Sequence, residues 1–213
     1  MRIVEQSHEV LYPLVLTNGW QYECKLIELA GRTAYKSEDK ITDDSYKEFI
    51  RMIAKRGHEA VLEFGNMAVR FVTDRGITHE LVRHRLCSFV QESTRYCNYS
   101  KDKFGNEVTF IRPSGFDSDP YRLEAWSRSC SDAEHRYFKL LEEGASPQQA
   151  RSVLPNSLKT EIVVKANFRE WRHIFKLRAI SKAAHPDMRA LMIPLYAECR
   201  RRCPEVFDIG EVE

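Results

Sequence analysis

Apolar residues at Tyr46, Phe49, Ile50 and Ile53 recur at i, i+3, i+4 and i+7, which puts one stripe along a helix. Asp43 or Asp44 can cap its start, and Gly57 can close its end. From Met67 to Thr73 the period changes to two. Val69 and Phe71 alternate with Arg70 among β-branched and aromatic neighbours, so a strand is expected there. Asp74-Arg75-Gly76 reads as a turn, after which a helix from near Thr78 through Leu81 and Val82 delivers Arg83-His84-Arg85 at its C-terminal end. The polar segment Cys87 to Lys103 has neither period and reads as an ordered functional loop.

Val108 to Ile111 is a short strand candidate, and Trp126, Cys130, Ala133, Tyr137, Leu140 and Leu141 share a helical face that Gly144 ends. Ser146-Pro147-Gln148-Gln149 supplies a capping box with proline at the first helical position, so a helix carrying Arg151 in its early part is expected. Thr160 to Lys165 is β-branched and predicts a strand. Asn167 and Glu170 then form an N-cap and N3 pair, and Trp171, Ile174 and Phe175 follow at helical spacing. That order places Asn167 and Arg169 at a helix N-terminus, whose unpaired N–H groups suit a pyrophosphate or a ring carbonyl. A last helix begins near Asp187 after Pro186 and buries Met188, Leu191, Met192 and Leu195.

Composition narrows the class. The 213 residues are 43% hydrophobic and 30% charged, as in a soluble globular protein. Thirty-three Lys and Arg against 31 Asp and Glu leave +2, too little for a global field that grips nucleic acid. No apolar run approaches the roughly 20 residues that span a bilayer, and Met1 to Leu11 lacks the core of a signal peptide, so a cytoplasmic protein without membrane contact is expected. The six cysteines form no C-x-x-C pair and read as free thiols. Cys199 and Cys203, one turn apart, lack further ligands at metal spacing. No repeat or linker divides the chain. The expectation is one α+β domain over residues 1–213, a central mainly antiparallel sheet flanked by helices.

Arg83 to Tyr96 holds three arginines, a histidine and four hydroxyls within fourteen residues. Guanidinium forks bind phosphate bidentately and stack on planar rings, although an arginine-rich helix end complementing its own dipole has the same composition. Each residue also has a plainer reading: His58 as a helix C-cap, Arg151 on a solvated face, Arg178 paired with a surface carboxylate, Ser93 as a loop hydroxyl. With no Asp near His84 in sequence, a Ser-His nucleophile is not indicated. A G-x-G-x-x-G turn is absent, so a Rossmann site is not indicated either.

The run RHRLCSFVQESTRY, Arg83 to Tyr96, resembles the signature of the flavin-dependent thymidylate synthases: R-H-R, seven residues, then Ser. GRTAYKS (Gly31 to Ser37), GHEAVLEF (Gly57 to Phe64), ARSVLP (Ala150 to Pro155) and NFREWRHIFKLR (Asn167 to Arg178) resemble further segments in that family's order. The resemblance implies a methyltransferase that makes dTMP from dUMP, with 5,10-methylenetetrahydrofolate as carbon donor and an FAD hydride derived from NADPH. It also implies a homotetramer with sites at subunit interfaces. Carried over by position, the flavin contacts are His58, Ala60, Arg83, His84, Arg85, Gln91, Asn167, Phe168, Arg169 and His173. Those to dUMP are Glu80, Leu81, Val82, Arg83, Gln91, Glu92, Ser93, Thr94, Arg95, Arg151 and Arg178. Arg178 resembles the arginine that favours ionisation at N3 of the pyrimidine, since a fixed cation beside an imide stabilises its anion. The chain departs from the common pattern at Val90-Gln91, where Asn-Glu is frequent, at Glu80 in place of Gln, at Ala60 in place of a hydroxyl, and at His173 in place of Asn. Two rival readings are an idle flavoprotein or nucleotide-binding regulator and an RNA-binding module that stacks bases on Tyr96, Tyr99 and Phe104.

Overall fold

A computed structural model describes residues 1–14, 18–101 and 105–212; Lys103 and Phe104, named above, lie outside the described residues. The protein is of the α+β class. Strands β1 (Arg2–Val4) and β5 (Thr109–Ile111) pair in parallel, with Ile3 opposite Phe110. Strands β2 (Ser7–Tyr12), β3 (Asn66–Asp74), β4 (Ser88–Gln91) and β6 (Lys159–Asn167) form an antiparallel sheet in the order β2-β3-β6-β4. The helices are α1 (Gly19–Tyr35), α2 (Ser45–Lys55), α3 (Arg75–Leu81), α4 (Pro120–Glu142), α5 (Pro147–Ala150), α6 (Phe168–Phe175), α7 (Pro186–Arg202) and α8 (Pro204–Phe207). Among the described residues, no helix is long and apolar enough to cross a membrane.

Contacts divide the chain into two compact units whose boundaries fall within β2, β3, β4 and β6 and between Arg83 and His84. The first comprises Met1–Ser7, Phe71–Arg83 and Val90–Ile162; the second comprises His8–Arg70, His84–Phe89 and the chain from Val163 onward. The first unit centres on Tyr99, Val108, Phe110, Cys130, Tyr137, Ala150 and Leu158. In the second, α2 buries the expected stripe of Tyr46, Phe49, Ile50 and Ile53, and Gly57 takes a positive φ of 73° just past the helix. Asp44 holds the N-cap position without a side-chain bond.

Helix α1, for which no expectation was drawn, packs on α2 with Trp20, Cys24, Ile27 and Gly31 buried. A Cβ at Gly31 would come within 2.5 Å of the Phe49 ring, so only glycine lets the two helices approach this closely. Helix α6 buries Trp171, whose Nε1 donates to the Met67 carbonyl at 3.0 Å, in a cluster of rings with Phe175 and Phe207. Each such ring removed from water is worth about 2–3 kcal/mol.

Several local expectations are corrected. Asp74 does not begin a turn: its Oδ1 accepts from the Ile77 N–H at 2.7 Å, so it caps α3, which starts at Arg75. The segment from Cys87 contains β4, whose partner strand β6 supplies the ladder that local periodicity cannot reveal. The capping box at Ser146 is present, but α5 is one turn long and Arg151 stands at its C-cap. Arg178 lies on a π turn, Lys176–Ile180, where the expected helix widens. The C-cap of α2 is Arg56; His58 stands two residues beyond it, where its N–H donates to the Ile53 carbonyl at 3.0 Å, and it precedes a 3-10 turn, Glu59–Phe64. The Cys203 sulfur lies 2.9 Å from that of Cys24 on α1.

Candidate active site

In the second unit, β6 ends at Asn167, whose Oδ1 accepts from the Glu170 N–H at 2.8 Å and fixes the first turn of α6. A cavity of about 550 Å³ opens over that turn. Its lining includes Asn167, Arg169 and His173 together with Glu59, Glu63 and Glu170. Arg169 is exposed and its Nη1 donates to Glu63 at 2.6 Å, so an arriving anion competes with that carboxylate. Arg172 is buried and held by Glu59 at 2.8 Å and by the Val206 carbonyl. His58 and Ala60 are exposed at the 3-10 turn, His58 Nδ1 lying 3.3 Å from the Tyr35 hydroxyl. The ring of Phe168 is fully buried, stacked on Trp20, and its N–H donates to the Gly65 carbonyl at 2.8 Å, so neither is open to a ligand.

His84 enters the same unit from a segment distant in sequence. It is 6% exposed, and its Nε2 accepts from Nε of Arg178 at 3.2 Å. Its Nδ1 lies 3.6 Å from a Glu170 oxygen, and its ring meets that of His173 edge-on at 5.9 Å. Burial, then the charge of Arg178 and the neighbouring His173 ring, lower its pKa to about 4, so the imidazole is neutral at pH 7. Burial raises the Glu170 carboxyl above its usual range and lifts the Cys87 thiol to about 12, which keeps that sulfur from acting as a thiolate. Arg85 is exposed in the turn that follows. A carboxylate does therefore face His84, supplied by Glu170 from eighty-six residues downstream, where the sequence signals only a helix cap.

In the first unit, the end of α3 carries Glu80, half-buried, Leu81, fully buried, and the exposed Val82 and Arg83. Leu81 thus offers a ligand its backbone only. Gln91 donates through Nε2 to the hydroxyls of Thr78 at 3.0 Å and Thr160 at 3.3 Å, an internal anchor for β4. Glu92 accepts from Lys159 at 3.3 Å, and its N–H is taken by the Glu161 carbonyl. Thr94 is buried and accepts from Nη1 of Arg151 at 2.6 Å, which joins two of the segments quoted above. Arg95 is exposed, with Nε donating to Gln148 at 2.9 Å, and Ser93 Oγ accepts from the Arg95 N–H at 3.4 Å. Gln148, Glu59 and Glu63 are further residues that hold these guanidiniums; Glu59 and Glu63 lie in the matching segment Gly57 to Phe64, and Gln148 lies at the helix start after Ser146. Clustered guanidiniums and hydroxyls on fixed turns suit a phosphate monoester.

Residues 15–205 match the family described as thymidylate synthase complementing protein. A flavin-dependent thymidylate synthase of Corynebacterium glutamicum is 34% identical over 207 residues, covering 88% of this chain and 80% of that protein. One from Mycolicibacterium gilvum is also 34% identical, over 210 residues, at 88% and 79% coverage. A UMP/dUMP methylase, PolB from Streptomyces cacaoi, solved with 5-Br dUMP, shares the fold at a TM-score of 0.78. It is 19% identical and covers 98% of this chain and 96% of its own. With a family match over nearly its whole length and relatives above 30% identity, this chain belongs to the thymidylate synthase complementing protein family.

Proposed function

We propose that the protein is a flavin-dependent thymidylate synthase, a single functional domain over residues 1–213 that methylates dUMP to dTMP. The observation that carries this reading is that His84, from the R-H-R segment, packs between Glu170 and Arg178 of the segment NFREWRHIFKLR, beside the cavity that Asn167, Arg169 and His173 line. The donors fit a flavin nucleotide: a helix start and a forked cation at the mouth of a cavity. FAD, when bound, supplies the hydride that completes the methyl group, with NADPH as reductant and 5,10-methylenetetrahydrofolate as carbon donor.

In this reading Arg169, Arg83 and Arg85 hold the cofactor's phosphates, while Asn167, His58, His173 and the backbone at Ala60 border its ring. Ser93, Arg95 and Arg151 hold the dUMP phosphate, and Thr94 and Gln148 orient two of those guanidiniums. Arg178 stabilises negative charge at N3 of the pyrimidine, which makes C5 nucleophilic. Sites shared between the subunits of a homotetramer belong to the same proposal. Two measurements test it: the visible spectrum of the purified protein with added FAD, and tritium release from C5-labelled dUMP. Arg178→Ala is expected to keep the flavin and lose release by roughly 100-fold. A colourless protein that takes up no FAD overturns the reading. Near-normal release from the variant removes the ionisation role.

A further inference from the structure

Arginine can only donate, so an imidazole nitrogen 3.2 Å from Nε of Arg178 must present its lone pair. The neutral ring of His84 then carries its proton on Nδ1, the atom that lies 3.6 Å from Oε1 of Glu170. That distance is an electrostatic contact rather than a hydrogen bond, but both side chains are buried, where screening is weak. The opposite tautomer would set an N–H against the guanidinium and a lone pair against the carboxylate.

We propose that Glu170 is a positioning residue for Arg178, acting through His84: the carboxylate holds the imidazole in the tautomer whose Nε2 accepts from the guanidinium and aims it. The proposal rests on the catalytic reading of Arg178 given above. The backbone is arranged to the same end. Glu170 is fixed at the third position of α6 by the Asn167 cap. On an unbroken α-helix, residues eight apart stand about 80° from each other around the axis. The π turn over Lys176–Ile180 fits more residues into each turn and reduces that angle, which brings Arg178 toward the side of Glu170. Nη1 of Arg189 holds the end of the π turn through the carbonyls of Ile180 at 3.1 Å and Ser181 at 2.8 Å. Nothing in the cap requires an acid at position 170, since the bond to Asn167 uses the backbone N–H.

The test uses the FAD-loaded protein with ¹⁵N-labelled histidine. Two-bond ¹H–¹⁵N spectra at pH 7 are expected to show His84 as the neutral Nδ1–H tautomer. Glu170→Leu, which has no acceptor, is expected to lower kcat for dTMP formation by roughly 10- to 100-fold, with KM for dUMP within about twofold and flavin content retained. Glu170→Gln, whose Oε1 keeps a partial negative charge facing Nδ1–H, should recover part of the rate. Adding Glu170→Leu to Arg178→Ala should cost nothing more. A wild-type Nε2–H tautomer, equal losses in the Leu and Gln variants, or losses that multiply with Arg178→Ala each overturn the proposal. If Glu170→Leu does not fold, the wild-type tautomer and the Glu170→Gln rate decide the matter. Full tritium release from Arg178→Ala would instead sink the catalytic reading, and the tautomer would still report on the positioning geometry separately.

Discussion

Lowering the pH should destabilise this fold through His84, and His84→Gln isolates the effect. The imidazole is 6% exposed, accepts from Arg178, and has Glu170 and His173 as its other ionisable neighbours. Its pKa falls from an ordinary 6.5 to about 4 in the folded protein. Between those values the unfolded chain binds a proton that the folded chain does not, so stability rises with pH across the window and is lost as pH falls. Linkage puts the loss at about 2 kcal/mol between pH 7 and 5, growing to about 3 kcal/mol by pH 4. Glu170, whose carboxyl burial raises, acts in the opposite sense: its contribution is present at low pH and is lost as pH rises. Urea unfolding of wild type and His84→Gln at pH 7, 6 and 5, at one protein concentration, gives the difference in slope, since glutamine does not titrate. The His84 ring protons should titrate with a midpoint near 4. Parallel stability curves for the two proteins, or a midpoint at or above 6.5, would refute the argument.

Anion binding at α6 should respond to both members of the exposed pair Arg169–Glu63, about half-exposed on each side. Arg169→Ala is expected to lower FAD occupancy, whereas Glu63→Gln should tighten FAD binding by up to about fivefold, the equivalent of a surface ion pair of at most about 1 kcal/mol. Fluorescence titration reads both, and weaker binding in Glu63→Gln would mean that the carboxylate contacts the ligand directly. Trp171→Ala removes a fully buried indole and its bond to the Met67 carbonyl, so a loss of about 3–5 kcal/mol is expected in urea; a loss under 1 kcal/mol would contradict the packing described.

Much of the local structure was legible from spacing alone. The stripe of α2, the alternation of β3 and the cap at Asn167 each depend on neighbours a few residues away, which is the range over which helix and strand periods act. The motif segments were legible for the same reason, as short strings of residue types. Helix α1 is hidden in the sequence because its buried face includes Glu23 and Glu28, which break the apolar pattern: Glu23 is satisfied by the Tyr12 hydroxyl and the Asn66 N–H from other segments, and Glu28 by the Ser45 hydroxyl of α2 and by Arg32 on α1 itself. Strand β4 resembles a loop in the sequence because a four-residue strand is recognised by its partner, and that partner lies about seventy residues downstream. What only tertiary structure decided is how the named side chains are used. Phe168 fills the core, Gln91 anchors a strand, and Glu170, read from sequence as part of a helix cap, faces an imidazole that meets Arg178 on its other side. The roles of these groups follow from burial and from the direction of each donor. Both are set by contacts between segments far apart in the chain, on which a local period carries no information.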